Sequence, residues 1–188
     1  NRAEFSMLTP IIKCIAEDSR LEYCLIVSGA HLEEIHGKSV GEIENEGFEI
    51  HHKLPLEHKG GGNALSTTKV IGEIILKASK LFAEIELDLI LIASDRFESF
   101  GALVAATQMN IPTAHFEGGD ITQGGALDDS LRHAMTKLSH IHFTTNSEAS
   151  KRLLRMGEEE YRVTNVGFPG IDAVASGDFM KKNKVVEN

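Results

Sequence analysis

A chain of 188 residues with 41% hydrophobic and 25% charged residues has the composition of one soluble globular domain, long enough to bury a sizeable core. Its formal net charge of -9 excludes the basic stripe of a nucleic-acid partner, but helix N-termini and one or two arginines can still hold an anionic small molecule. Cys14 and Cys24 lack C-x-x-C spacing, no apolar run reaches the ~18 residues of a membrane helix, and no signal peptide is visible. No membrane contact and a cytoplasmic location are therefore expected.

In chain order, "NRAEFSMLTPIIKCI" leads straight into a helix, and "YCLIVSG" (23–29) and "FEIHHKL" (48–54) read as strands. Residues 65–82 set Leu65, Ile71, Ile74, Ile75, Ala78 and Phe82 at helical spacing. "LDLILIA" (87–93) is apolar nearly throughout, as suits a strand covered on both faces. "PTAHFE" (112–117) is the next strand, and residues 128–139 place Leu131, Ala134, Met135 and Leu138 on one helical face. "IHFTT" (141–145) and "RVTNV" (162–166) complete the strands. This alternation predicts an α/β fold, a doubly wound, Rossmann-like parallel sheet. In such a sheet the first strand is usually central, so a strand before Asn1 is expected. Residues 1–175 are read as the lobe, and the polar "SGDFMKKNKVVEN" (176–188) as a linker toward a second lobe.

Ligands of open α/β sheets bind outside the carboxyl ends of the strands. Asp95 in "SDRFES" follows one such end and Glu117 in "AHFEGGD" follows the next. Asp128 and Asp129 open the following helix. Taken singly, Asp95 is a helix cap, the aspartate pair a complement to a helix dipole, and Glu117 a turn residue. Repetition along one sheet edge favours a shared crevice, where crowded carboxylates raise one another's pKa values and suit proton transfer. Arg2, at the first helix start, is placed to hold a phosphate. Arg132 stands four residues after Asp128 and is expected to pair with it. His133 stands similarly to Asp129 and either tunes the site or bridges to the sheet. "HIH" (140–142) sets two histidines on one strand face with no third metal ligand, and "HKGGGN" (58–63) lacks P-loop order and reads either as a mobile loop over the crevice or as a plain flexible connection. No G-x-G-x-x-G follows a strand, which leaves nicotinamide or flavin binding unsupported.

Five stretches in series, "NRAEFSMLTPIIK", "DRFES", "NIPTAHFEGGDIT", "GGALDDSLRHAMTKLSHIHF" and "NVGFPGID", resemble the hydrolysing UDP-N-acetylglucosamine 2-epimerases of sialic-acid and related nonulosonic-acid synthesis. The resemblance runs to about Asp172. It implies the N-terminal lobe of a two-lobed, glycosyltransferase-B-like enzyme that binds a nucleotide sugar between its lobes. It further implies removal of the C2 proton, departure of UDP, and water addition to a glycal to give N-acetylmannosamine, with no metal or redox cofactor. By motif, Asp95, Glu117, Asp128 and neighbouring Asp129 become the candidate acid/base groups, with the order of proton transfer open. Arg2 falls near the diphosphate, and His133 matches the family's "RHA" pattern. Ser94 departs from the glycine common before the aspartate. The family's catalytic histidine and most uridine-diphosphate contacts belong to the second lobe, so the 188-residue chain alone is expected to be inactive. The resemblance also suggests homo-oligomers formed through N-terminal helices. Competing readings are the same chemistry on a UDP- or GDP-linked diacetamido sugar, the non-hydrolysing epimerase, a non-catalytic nucleotide-sugar-binding domain, and a glycosyltransferase lobe.

Overall fold

A computed structural model describes residues 2–33, 39–57, 63–122 and 127–175. The tail at 176–188 and most of the loop at 58–63 lie outside the described residues, as does the side chain of Arg2. Helices α1 (Arg2–Glu17), α2 (Val40–Asn45), α3 (Ala64–Glu84), α4 (Phe97–Gln108), α5 (Leu127–Leu138), α6 (Ser147–Arg155) and α7 (Pro169–Ala175) alternate with strands. The strands are β1 (Ile26–Ser28), β2 (His52–Leu54), β3 (Ile90–Ala93), β4 (Thr113–Phe116), β5 (Ile141–Thr144) and β6 (Val163–Asn165).

Every strand pairing is parallel, as the alternating pattern predicts, but the strands form two sheets among the described residues. β1 pairs with β2, and β3, β4, β5 and β6 follow one another in a second sheet. The single sheet expected from the sequence is thus divided between β1 and β3.

Helices join the two sheets from both sides. On one face, α1 sends Phe5 and Ile12 against Val27, Ile43 and Phe48, while its Met7 packs with Ala93 and Phe116. On the other, Val70, Ile74, Ala78 and Phe82 of α3 meet Ala105 and Ala106 of α4, with Ile26, Leu54 and Ile90 beneath. Ile92, Leu103 and Met135 extend this layer to α5. Each fully buried side chain of this size contributes roughly 1.5–3 kcal/mol of transfer free energy. The α3–α4 approach depends on Gly101, where a Cβ would lie 2.9 Å from Ile74 Cγ2 and 3.0 Å from the Ile71 carbonyl oxygen.

Local chemistry sets the helix starts. Asn63 and Asn146 accept backbone N–H bonds from Ser66 and Ala149 at 2.9 and 2.8 Å, capping α3 and α6. No described helix is long and apolar enough to cross a membrane.

Candidate functional site

The strand register places the first residues of the site side by side. Ala93 pairs with Phe116 at the carboxyl ends of β3 and β4, so Ser94 and Glu117 are the next residue on each chain. Both leave the sheet in the left-handed region, at φ 68° and 64°. That region costs a non-glycine residue roughly 1–2 kcal/mol, and such strain concentrates at functional sites. The ladder continues through both turns: Ser94 N–H donates to Phe116 O and Glu117 N–H to Phe143 O, each at 3.0 Å.

Asp95 does not cap α4. The N-cap is Arg96, with no side-chain cap bond. Asp95 instead faces α5, where it receives Arg132 Nη2 in a close ion pair. The same guanidinium reaches Asp129 Oδ1 through Nη1 at 3.2 Å. Its side chain is only 9% exposed, against 16% for Asp95 and 17% for Asp129. The helical pairing expected between Arg132 and Asp128 is therefore replaced by one to Asp129, three residues back, and one across to β3. Asp129 also accepts the Thr122 N–H at 2.9 and 3.1 Å, tying the loop after β4 to the start of α5. Asp128 is exposed in the first helical turn, where a favourable dipole interaction describes it adequately.

Glu117 is partly buried beside this group, with no cation in direct hydrogen-bonded contact among the described residues. Burial pushes its carboxyl above the ordinary carboxylate value, and the charges of Asp120 and Asp95 add to the rise. The Ser94 hydroxyl and the more distant Arg132 charge oppose it. Beyond Glu117, Gly118 and Gly119 allow close packing. A Cβ at Gly119, where φ is +86°, would meet Leu153 Cδ1 at 2.3 Å. Asp120 then accepts bonds from Thr145 Oγ1 at 2.6 Å and Asn146 Nδ2 at 2.9 Å, linking the β4 and β5 ends.

The structure thus gathers Asp95, Glu117, Asp129 and Arg132. His133 is partly buried nearby on α5, its Nδ1 without a protein partner among the described residues, as is Arg132 Nε. Two groups escaped the sequence reading. His115, fully buried on β4, lies 2.8 Å from Ser94 O through Nε2 and 3.3 Å from Thr136 Oγ1 through Nδ1. A carbonyl only accepts, so Nε2 carries the hydrogen. The second group is Arg96, which lies 3.4 Å from Glu98 and 3.8 Å from Glu4 and stacks on Phe97. Its only sequence signal was its place beside Asp95. The two histidines of "HIH" serve separate contacts: His140 lies 2.9 Å from Thr113 Oγ1, and His142 binds Glu158 at 3.0 Å. No cluster of three or more metal-ligating side chains occurs among the described residues.

Parallel strands between helical layers, with carboxylates gathered at the strand ends, make this an α/β protein of the doubly wound class. Solved structures carry the same fold. UDP-GlcNAc 2-epimerase from Neisseria meningitidis bound to UDP-GlcNAc matches with a TM-score of 0.82 at 19% identity, over 94% of this chain and 47% of that one. The Methanocaldococcus jannaschii UDP-GlcNAc 2-epimerase in complex with UDP-GlcNAc and UDP matches at 0.77 and 18% identity, over 97% and 49%.

The sequence profile of UDP-N-acetylglucosamine 2-epimerase matches residues 13–188, and the chain belongs to that family. UDP-N,N'-diacetylbacillosamine 2-epimerase (hydrolyzing) of Legionella pneumophila is 33% identical over 173 residues, covering 92% of this chain and 45% of the relative. UDP-N-acetylglucosamine 2-epimerase of Neisseria meningitidis serogroup B is 35% identical over 187 residues, covering 99% and 48%. The chain spans about half the length of the curated relatives it matches.

Proposed function

We propose that this chain is the N-terminal lobe of a cytoplasmic hydrolysing 2-epimerase that converts UDP-N-acetylglucosamine to N-acetylmannosamine and UDP. The supporting observation is Glu117: a strained, partly buried carboxyl with a raised pKa, set beside a carboxylate pair bridged by Arg132. A group that holds its proton more tightly than an ordinary carboxylate suits general acid–base work near neutral pH. Glu117 is assigned the proton-transfer role. Asp95 and Asp129, fixed by Arg132, shape the charge around the sugar, and Asp128, exposed in the first turn of α5, is a second acid/base candidate. Arg2 contributes to binding the diphosphate and His133 to lining the sugar site.

In this mechanism a base takes the C2 proton as the C1–O bond to UDP breaks, and the C2–H electrons form the C1=C2 bond of a glycal. Water oxygen then adds at C1, and a proton returns to the opposite face of C2. The C2 hydrogen is weakly acidic, so the acid and base must be positioned together with the leaving group. The second lobe supplies most of the uridine-diphosphate contacts.

A second reading keeps this chemistry and changes the sugar to a 2,4-diacetamido one. It is favoured by two relatives named for diacetylbacillosamine, from Legionella pneumophila and Campylobacter jejuni.

The test uses the protein extended to the length of its relatives, incubated with each nucleotide sugar in deuterated water and followed by proton NMR. N-acetylmannosamine deuterated at C2, appearing with free UDP, is expected from UDP-N-acetylglucosamine. UDP-N-acetylmannosamine without UDP release would assign the non-hydrolysing reaction. Turnover of only the diacetamido substrate would select the second reading, and no turnover of either would overturn both. The 188-residue chain alone is expected to release no UDP above a Glu117→Gln control.

A further inference from the structure

Ser94 occupies a backbone position made for glycine, yet every polar group it owns is engaged. Its N–H donates to Phe116 O at 3.0 Å, and its carbonyl accepts from His115 Nε2 at 2.8 Å. Its hydroxyl donates to Asp95 Oδ1 at 3.2 Å, and the register of β3 and β4 sets Glu117 beside it, where the hydroxyl favours the charged form of that carboxyl. A hydroxyl has one hydrogen to donate, and both neighbours are carboxyl groups. Glycine would relieve the φ of 68° but would leave the two carboxyl groups with no donor between them.

Resting on the proposed acid–base role of Glu117, we infer that Ser94 is a positioning residue whose single hydroxyl hydrogen, donated to Asp95 beside Glu117, aligns the two carboxyl groups. His115 anchors the arrangement from below. Its ring fixes the Ser94 carbonyl on one side and meets Thr136 of α5 on the other, so the serine turn and the helix carrying Arg132 share one buried support. Gly118 leaves room for that ring, because a Cβ there would sit 3.0 Å from His115 Nδ1 and 3.1 Å from Thr136 Oγ1. The charged groups facing Glu117 are Asp95 from the β3 turn, Arg132 from α5 and Asp120 from its own loop. None of these is removed when Ser94 is changed.

Ser94→Gly separates this role from a structural one, because glycine accepts the left-handed backbone. In the 188-residue chain, carbon-detected NMR should show the Glu117 carboxyl titrating roughly half a pH unit or more higher in the variant, since a neighbouring hydroxyl that favours the charged form has been lost. Ser94→Ala, which keeps the backbone demand of serine, should give the same shift. An unchanged midpoint in both variants would overturn the inference. In the extended enzyme, the limb of the kcat/KM profile that reports Glu117 should move to higher pH, with kcat reduced about tenfold. A variant that resists urea better but keeps kcat within about twofold and the same profile would show that Ser94 is merely structural. If the wild-type enzyme turns over no nucleotide sugar, the functional proposal fails, while the NMR titration still decides the role of Ser94.

Discussion

Two ends of the four-stranded sheet use the same side chains to opposite effect. At the amino end of β5, Glu158 has a side chain only 2% exposed and receives Lys137 Nζ at 2.5 Å, His142 Nε2 at 3.0 Å and Arg162 Nη2 at 3.1 Å. Burial alone would raise its pKa, but these donors and their positive charges outweigh it, and the carboxyl falls below its ordinary value. At the carboxyl end, burial raises the Glu117 pKa and neighbouring carboxylates add to the rise, with no cation in hydrogen-bonded contact among the described residues. The arginine there is engaged by Asp95 and Asp129. One edge is arranged to keep a charge and the other to favour a proton, and the second arrangement is the one suited to acid–base chemistry.

The sharpest test of this contrast is a pair of isosteric changes in the extended enzyme. Glu117→Gln should lower kcat by roughly 10²–10⁴-fold while leaving stability nearly unchanged. Glu158→Gln should leave kcat within about twofold. Steady-state kinetics on both variants would break the comparison if the losses were equal.

Next in size is the response to acid. His115 and His142 are both fully buried, one against a neutral carbonyl and one against a carboxylate. Burial pushes the His115 ring down to about 4, with its bond to Ser94 O opposing the fall. The unfolded chain takes up this proton near pH 6.5, so the stability His115 contributes is full above pH 6.5 and is lost as pH falls toward 4. Between pH 7 and pH 4.5 the loss, measured by urea unfolding, should be about 2 kcal/mol. His115→Leu should flatten that slope whatever its effect at pH 7. An equal slope in the variant would assign the acid sensitivity elsewhere.

These contrasts were only partly legible in the sequence. Apolar alternation located the strands and helices well: helix periodicity at 65–82 and 128–139 became Ala64–Glu84 and Leu127–Leu138. The order of the acids along the chain likewise put Asp95 and Glu117 on adjacent strand ends. What pattern could not reveal was long-range choice of partner. Local spacing favours Arg132 with Asp128, but the packing of α5 turns the guanidinium toward Asp95, 37 residues away. "HIH" set two histidines on one strand face but not their partners, which are Thr113 for His140 and, from beyond α6, Glu158 for His142. Nor does a serine or glutamate announce a left-handed backbone, a state local sequence assigns to glycine or asparagine.

A smaller effect probes what holds Glu158. Breaking a buried ion pair costs 3–5 kcal/mol when both partners are enclosed. Here Lys137 is 51% exposed and Arg162 29%, so water screens part of the attraction. Glu158→Ala should therefore destabilise the chain by roughly 2 kcal/mol, with the urea m-value unchanged. A cost near zero would mean that the cluster adds little to stability, and the contrast between the two edges would then rest on Glu117 alone.

The smallest predicted change has the opposite sign. Glu117→Gly removes a left-handed non-glycine residue together with a desolvated carboxyl, while the unfolded chain gains the conformational freedom of glycine. The gains exceed the loss by about 1 kcal/mol, so the variant should unfold at a higher urea concentration and have no detectable epimerase activity. That pairing is the signature of a residue kept for chemistry at the expense of the fold. If Glu117→Gly were instead less stable than the wild type, the side chain would be holding the β4 turn together. Its raised pKa would then be a by-product of packing, and the two ends of the sheet would differ in degree rather than in kind.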